Sequence, residues 1–577
     1  MSNIEELSSR YNYKLLEHAP PNIRGDVDQI LADIIYHRVK INSYEELSRW
    51  LDMQDYHIDE NIDSLKDVYL GSKLLIEHMN KGSNIIIAGD RDCDGITATY
   101  TIYYSLLNIF NYPRDKVRYI INKRKSENGI SKYIVDTILG FKQDNLVDLV
   151  ITVDHGSRDE LAYQILKKHN IDILVTDHHT VVEDDYPSSA DVFINPHRKD
   201  SIYPRTISGC QVALLLMLAT YKTMYGKLDE DKFIKLVSIS ALSIISDVMP
   251  LNNLYNRNML KLGINNISKY VDTFWRSIKS ALLIPATVSV DDLSYKVAPL
   301  INTANRTHHE DLGMLAIGTE GLDNSMGYIV ELDDLSNKRR AVTFTAQANV
   351  VKDIDLTKYP YSIVTVIDTS YAVNGIIAAR LGESYNLPSV CFLDEGDSLN
   401  GSARAILPKL SLMAILDSIA KEDDTILLKY GGHASACGCS VLKSNLDKFK
   451  ALFDKYSKIE IDKLSIDKSI AIDAIVDSRD INLVLAYLIE RAGPYGKDFD
   501  KPNLLSILTI DRIVLKNTYL GIYFTNGIRC DNYLDSVSWQ YNNLQPTNKV
   551  VVVYNLSLVN KKGMILLDMS ILDLHKI

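Results

Sequence analysis

The residues best suited to chemistry fall in four stretches: Asp90-Arg-Asp92-Cys-Asp94-Gly95, Asp154-His155-Gly156, Asp177-His178-His179 and Asp247. Carboxylates on alternate positions repel one another unless a cation sits between them. Hard oxygen donors favour Mg²⁺ or Mn²⁺, and imidazole nitrogen suits the transition metals. The bland alternative is a solvated acidic turn, and one stretch alone does not exclude it.

The elements that must position these groups argue against it. Ile85-Ile86-Ile87 is a β-branched run, the pattern of a parallel strand covered on both faces. It ends at Asp90, and a buried helix is expected from about residue 96 to 110. Further strands are expected at Val117–Ile121, Asp148–Val153, Asp172–Val175 and Val192–Ile194. They end in Asn122-Lys123-Arg124, Asp154-His155, Asp177-His178-His179 and Asn195-Pro196-His197. Chance explains one polar strand end and fails for a whole set. Ligands of such sheets bind beyond the carboxyl ends of the strands, so a metal site there is the better account. Lys123 or Arg124 could hold a phosphate. A helical region over 206–262 should cover the sheet, and its apolar run Phe233–Ile245 leads into Asp247. A carboxylate between apolar segments is costly unless it is paired or ligates an ion.

Composition sets bounds. The 577 residues suggest three or four domains, and 46% hydrophobic with 24% charged content is ordinary for a soluble protein. No signal peptide or long apolar run points to export or a membrane. The six cysteines lack zinc spacing and fit a reducing cytoplasm. A net charge of −11 argues against whole-surface affinity for nucleic acid but allows a local basic channel. Residues 1–80 read as amphipathic helices, 312–351 as a polar helical segment, and 356–460 as a second αβ unit. In that unit Gly401-Ser402-Ala-Arg404 suits phosphate oxygens, and Gly431-Gly432-His433 reads as a glycine turn whose amides could approach an anion. From about residue 504 the pattern turns to β and fits a small barrel.

Asp90-x-Asp92-x-Asp94-Gly95, Asp154-His-Gly, Asp177-His178-His179 and Asp247, in that order, resemble the DHH phosphoesterases. Within them the chain is similar to the RecJ family of 5′→3′ single-strand-specific DNA exonucleases. Val297–Arg306 with Asn302, Asn374-Gly375…Arg380, Gly401–Arg404 and Gly431–Gly438 match further blocks of that family. Arg91 and Cys93 stand where an aromatic and an alanine are usual, Asn305 where glycine is usual, and Lys123-Arg124 where one arginine is usual.

The resemblance implies an α/β multidomain protein. Its parts would be an N-terminal helical region (1–80), a parallel-sheet DHH catalytic domain (81–310), a linker helix (311–355), an α/β DHH-associated substrate-binding domain (356–460), a bridge (461–503) and a C-terminal OB-fold (504–577). It implies two Mn²⁺ or Mg²⁺ ions on Asp90, Asp92, Asp94, Asp154, His178 and Asp247, with Asp154 as bridge. His179 would touch the phosphate or leaving group, and Asp177 would orient a histidine. Lys123, Arg124, Asn302, Arg306, Ser402, Arg404, Gly432 and His433 would bind the strand. In the barrel, Tyr519, Tyr523, Phe524, Arg529, Tyr533, Trp539 and Tyr541 are stacking candidates. The expected partner is single-stranded DNA, with a helicase or single-strand-binding protein assisting. A monomer acting in recombination or repair is implied, in the cytoplasm (that of a host, if phage-encoded). The competing readings are a phosphodiesterase of short oligonucleotides or cyclic dinucleotides and a non-catalytic replication scaffold. The β-rich C-terminus argues against the first and the intact acidic set against the second.

Overall fold

The structure is a computed structural model, and it describes residues 11–53, 56–123, 128–181, 186–203, 206–269, 272–369, 371–407, 409–464, 469–515, 519–533, 544–561 and 564–577. The chain forms two compact units, one of residues 1–298, 317–322 and 468–577, the other of 299–316 and 323–467.

The first unit is built on five parallel strands: β1 (Ile85–Gly89), β2 (Val117–Ile121), β3 (Leu149–Val153), β4 (Asp172–Thr176) and β5 (Val192–Ile194), in the order β2-β1-β3-β4-β5. Alternate residues serve opposite faces. Ile86, Ala88, Val150, Ile173 and Val175 pack with Ile134, Ile138, Tyr163 and Leu166 of the helices Lys132–Gln143 and Glu160–Lys167. Leu174 and Ile194 meet Gly71 of the helix Val68–Lys81 beside Leu216 of the helix Gly209–Tyr225, where an added Cβ would lie 2.7 Å from Ile194. Both faces are covered, as the uninterrupted β-branched runs require.

The helix after β1 is Cys93–Tyr104, three residues earlier than expected. Asp92 causes the early start: its carboxylate caps the helix by accepting from the amides of Asp94 (3.0 Å) and Gly95 (3.1 Å). Asp94 therefore lies inside the first helical turn. Gly95 is required there, because a Cβ would sit 2.5 Å from the Asp90 carbonyl oxygen.

After the helix Ala298–Arg306, two helices, Leu312–Gly318 and Leu322–Val351, stand where one segment is expected over 312–351. They precede a mixed sheet of β6 (Ile363–Ile367), β7 (Ser389–Asp394), β8 (Ser398–Arg404), β9 (Leu427–Gly432) and β10 (Ala436–Leu442), ordered β9-β10-β8-β7-β6. Val390, Phe392, Ala403, Ile415, Ile419, Cys439, Phe449 and Phe453 form its core.

The C-terminal strands rejoin the first unit. They are β11 (Leu504–Leu515), β12 (Tyr519–Phe524), β13 (Arg529–Tyr533), β14 (Lys549–Lys561) and β15 (Met564–Lys576), ordered β13-β12-β11-β14-β15. Cys530 Sγ on β13 donates to the Met569 carbonyl on β15 at 2.9 Å, drawing the two end strands into a nearly closed antiparallel barrel of OB type. Of the stretch expected as a bridge, residues 468–503 belong to this unit. Ile470–Ile472 pairs in parallel with Tyr13–Leu15, and the fully buried Arg257 donates to the carbonyls of Ala492, Gly493 and Pro494.

Candidate metal centre

Strand register explains why the acidic stretches meet. Gly89 is paired with both Ile121 and Val153, Val153 with Thr176, and Thr176 with Ile194. The next residue of each strand is Asp90, Asn122, Asp154, Asp177 or Asn195, so all five stand along one edge. In this strand order the crossover direction reverses beside β1 and β3, the usual ligand crevice of an open α/β sheet. Asp90 and Asp154 stand at that point.

Asp94 is 2% exposed. Its oxygens accept from the Gly209 amide (2.8 Å), the Cys210 amide (2.9 Å) and the Ser243 hydroxyl (2.5 Å). The first two are the opening amides of the helix Gly209–Tyr225, whose dipole favours the anion. Asp154 leaves β3 with φ +62° and is also buried. Among the described residues its Oδ1 has no hydrogen-bond partner, while His178 Nε2 lies 3.1 Å away. The same imidazole nitrogen is 3.5 Å from Asp247 Oδ2 and 3.7 Å from Asp94 Oδ2. One nitrogen thus faces three carboxylates from three chain segments.

Burial, then neighbouring negative charge, pushes the Asp154 carboxyl well up, and burial also raises Asp92 and Asp94. Burial with the Asp94 and Asp92 charges pushes Asp247 up to about 8. Burial lowers His178. Such a set is short of positive charge. Asp94, His178 and Asp247 offer donor atoms within 4.8 Å of one another; so do Asp154, His178 and His179, and so do Asp90, Asp92 and Asp154. Asp154 belongs to two of these groups. An orphaned buried carboxylate oxygen and a mixed oxygen and nitrogen donor set fit divalent cations.

His179 and Asp177 form a second layer. Asp177 is buried and accepts from the amides of Ser157 (2.9 Å), His178 (2.7 Å) and His179 (3.1 Å) and from His179 Nδ1 (2.8 Å). These bonds and the facing imidazole charge outweigh its burial and hold the carboxyl far below its usual range. Burial would lower His179, but the Asp177 charge and hydrogen bond prevail and raise it to about 10. The shift favours the protonated form of His179, which is half-exposed and has Nε2 as its remaining nitrogen.

The expected phosphate residues are placed unevenly. Lys123 is exposed, and its ammonium lies 4.2 Å over the Tyr133 ring; Arg124 falls outside the described residues. In the second unit, Ser402 and Arg404 lie on β8, and a Cβ on Gly375 would be 2.9 Å from the Arg404 guanidinium and 3.5 Å from the Ser402 hydroxyl. Gly375 opens the helix Asn374–Tyr385, so a guanidinium, a hydroxyl and a helix N-terminus converge. Arg306 donates to the Ala372 carbonyl (3.2 Å), just before that helix, and Asn302 lies one turn earlier on the helix of Arg306. Gly431 and Gly432 do not form a free turn. They end β9 paired with Gly438 and Cys437, and the His433 amide donates to the Ala436 carbonyl (2.9 Å). The hairpin takes up that amide because β10 returns at once.

Residues 84–241 match the DHH family, N-terminal domain. The chain is 27% identical over 495 residues to the single-stranded-DNA-specific exonuclease RecJ of Haemophilus influenzae, covering 82% of each chain. This chain carries a DHH-family N-terminal domain and is similar to RecJ. Its fold matches that of Thermus thermophilus RecJ in complex with Mn²⁺, with TM-score 0.79 and 21% identity over 98% of this chain and 80% of the other. The structure of the same protein with Mg²⁺ gives 0.75 at 21% identity, over 98% of this chain and 79% of that one.

Sequence reasoning missed several groups in the RecJ-like chain. Ser243 and the Gly209 and Cys210 amides come from segments far from Asp94. On the barrel, Phe524 is buried core. Tyr523 is flanked instead by two arginines, with Arg512 Cζ 4.0 Å and Arg529 Cζ 5.3 Å from its ring centre. Register puts these three side by side on β11, β12 and β13. Trp539 and Tyr541, and the side chains of Tyr519 and Tyr533, fall outside the described residues. Among the described residues no helix is long and apolar enough to cross a membrane.

Proposed function

We propose that this chain hydrolyses single-stranded DNA from its 5′ end to mononucleotides, using two divalent cations held by Asp90, Asp92, Asp94, Asp154, His178 and Asp247. The observation that carries this reading is the buried Asp154 Oδ1, which has no hydrogen-bond partner among the described residues and faces carboxylates and imidazoles. The names of the relatives support the substrate, and the Mn²⁺ and Mg²⁺ complexes of Thermus thermophilus RecJ support the cations. The chemistry such a pair supplies when bound is a water with its pKa lowered to about 7 and a charge clamp on the scissile phosphate.

The chain's own residues supply the rest. Asp94 is fixed by the helix amides and Ser243, so its free lone pairs keep one direction. Asp177 holds His179 as an imidazolium that places a proton near the leaving oxygen. Lys123 or Arg124 steadies the phosphate in the first unit. In the second, Arg404 and Ser402 grip a strand phosphate beside the helix N-terminus, assisted by Asn302, Arg306, Gly432 and His433. The Arg512–Tyr523–Arg529 row offers a base-stacking platform flanked by positive charge. Digestion of single strands suits recombination and repair in the cytoplasm, by a monomer, beside a helicase or a single-strand-binding protein. Asp154→Ala tests the reading: it should abolish hydrolysis while leaving strand binding largely intact. Cleavage at the normal rate would refute the shared carboxylate.

A further inference from the structure

Arg91 stands between two of the candidate ligands, Asp90 and Asp92, yet its side chain reaches another strand. It is buried at 9% exposure. Nη1 donates to the Lys123 carbonyl at 2.7 Å, and Nη2 donates to Asn128 Oδ1. These acceptors flank the basic loop that follows β2. The same loop is closed at its base by Asn122, whose Nδ2 donates to the Gly129 carbonyl (3.0 Å) and whose Oδ1 accepts from Ser131 (2.9 Å). Gly129 turns there with φ +77°, and the Ile130 amide donates to Asp159 Oδ2 at 2.9 Å. The loop base is thus a formed clasp, and Arg91 ties it to the acidic turn.

We propose that Arg91 is a positioning residue that fixes the distance between the metal-binding carboxylates and Lys123, as the cation that would hold an internucleotide phosphate of a single strand. This rests on the nuclease reading above. The planar guanidinium matters because it spans two acceptors at once, which an ammonium cannot reproduce. The backbone of Arg91 is that of the acidic turn, so a shift of Lys123 or Asn128 is resisted at the carboxylates themselves. Misplacing a phosphate by about 1 Å can cost up to a hundredfold in rate.

The test uses the full-length chain with Mn²⁺, a single-stranded oligonucleotide, and the variants Arg91→Ala, Arg91→Lys, Asn128→Ala, Lys123→Ala and Arg91→Ala/Lys123→Ala. Arg91→Ala should raise KM for the strand about tenfold while Mn²⁺ affinity, by calorimetry, stays within about twofold. Arg91→Lys should recover only part of the loss. Asn128→Ala, at an exposed position, should shift KM the same way with an unchanged melting temperature. The double variant should be no worse than Lys123→Ala alone, since coupled residues are not additive. If Arg91→Ala weakens Mn²⁺ binding as much as strand use, the arginine merely supports the acidic turn and the inference falls. An unchanged KM, or additive losses in the double variant, also overturns it. Should Arg91→Ala fail to fold, Asn128→Ala decides alone. A wild-type chain that binds Mn²⁺ but cuts no strand fails the nuclease reading before any variant is compared, and takes this inference with it.

Discussion

Gly209 shows how tightly single residues constrain the centre. Its amide donates to Asp94, and its Cα faces Asp154: an added Cβ would lie 2.5 Å from Asp154 Oδ1 and 2.7 Å from Asp154 Cβ. Both partners are buried backbone-anchored groups with no room to retreat. Gly209→Ala should therefore cost about 1–3 kcal/mol of stability and displace Asp154. Calorimetric titration with Mn²⁺ should show weaker binding in a chain that still melts cooperatively; unchanged affinity would contradict the packing. At this scale the sequence was informative where chemistry is carried by residue type. Asp90, Asp92, Asp94, Asp154, Asp177, His178, His179 and Asp247 could all be named, because carboxylates and imidazoles at strand ends are conspicuous. Ser243 and the Cys210 amide were not, because a hydroxyl inside an apolar helix and a backbone donor leave no mark in residue type.

Elements gather these residues, and their legibility depended on how local they are. Parallel strands announce themselves by apolar runs, so β1 to β5 were readable, and their common register does the assembling. The antiparallel strands β8, β9 and β10 hid in glycine-rich sequence. Tyr13–Leu15 could not be foreseen because its partner, Ile470–Ile472, lies at the other end of the chain. A buried hub secures that closure. Asp473 accepts from Arg38 Nη1 (2.7 Å), Arg38 Nη2 (3.2 Å), His37 Nδ1 (3.0 Å) and the Asn503 amide (2.8 Å). His37 Nε2 faces the Glu17 carbonyl at 2.6 Å, so only the doubly protonated ring satisfies both acceptors. Burial would raise Asp473, but His37 and Arg38 hold it below its usual value; burial would lower His37, but Asp473 and the Glu17 carbonyl raise it. The His37 contribution is complete below its ordinary pKa of 6.5 and is lost as pH rises through the elevated one. The Asp473 contribution is present above 3.8 and lost as pH falls through its depressed value. Melting temperature should decline as pH rises above the ordinary imidazole value of 6.5, and Asp473→Asn should flatten that decline while costing about 3 kcal/mol. A variant with the wild-type pH slope would remove the hub from the account.

On the proposed reading, the first unit would supply carboxylates and imidazoles at the sheet edge and a stacking row on its barrel, and the second a guanidinium beside a helix N-terminus. The return of residues 468–577 to the first unit was not readable, since nothing in composition tells a packed segment from a linker. Tyr523→Ala should weaken single-strand binding by about 1–3 kcal/mol with little effect on cleavage of a dinucleotide; equal loss on both substrates would take the row out of strand binding. The central claim is tested most directly with one single-stranded oligonucleotide labelled at either end, incubated with Mn²⁺ and then with EDTA. The account predicts stepwise loss from the 5′ end, absent in EDTA and on the matched duplex. Release of mononucleotides from a dinucleotide with the long strand left intact would contradict it in favour of a small-substrate phosphodiesterase, and tight strand binding with no cleavage would contradict it in favour of a scaffold.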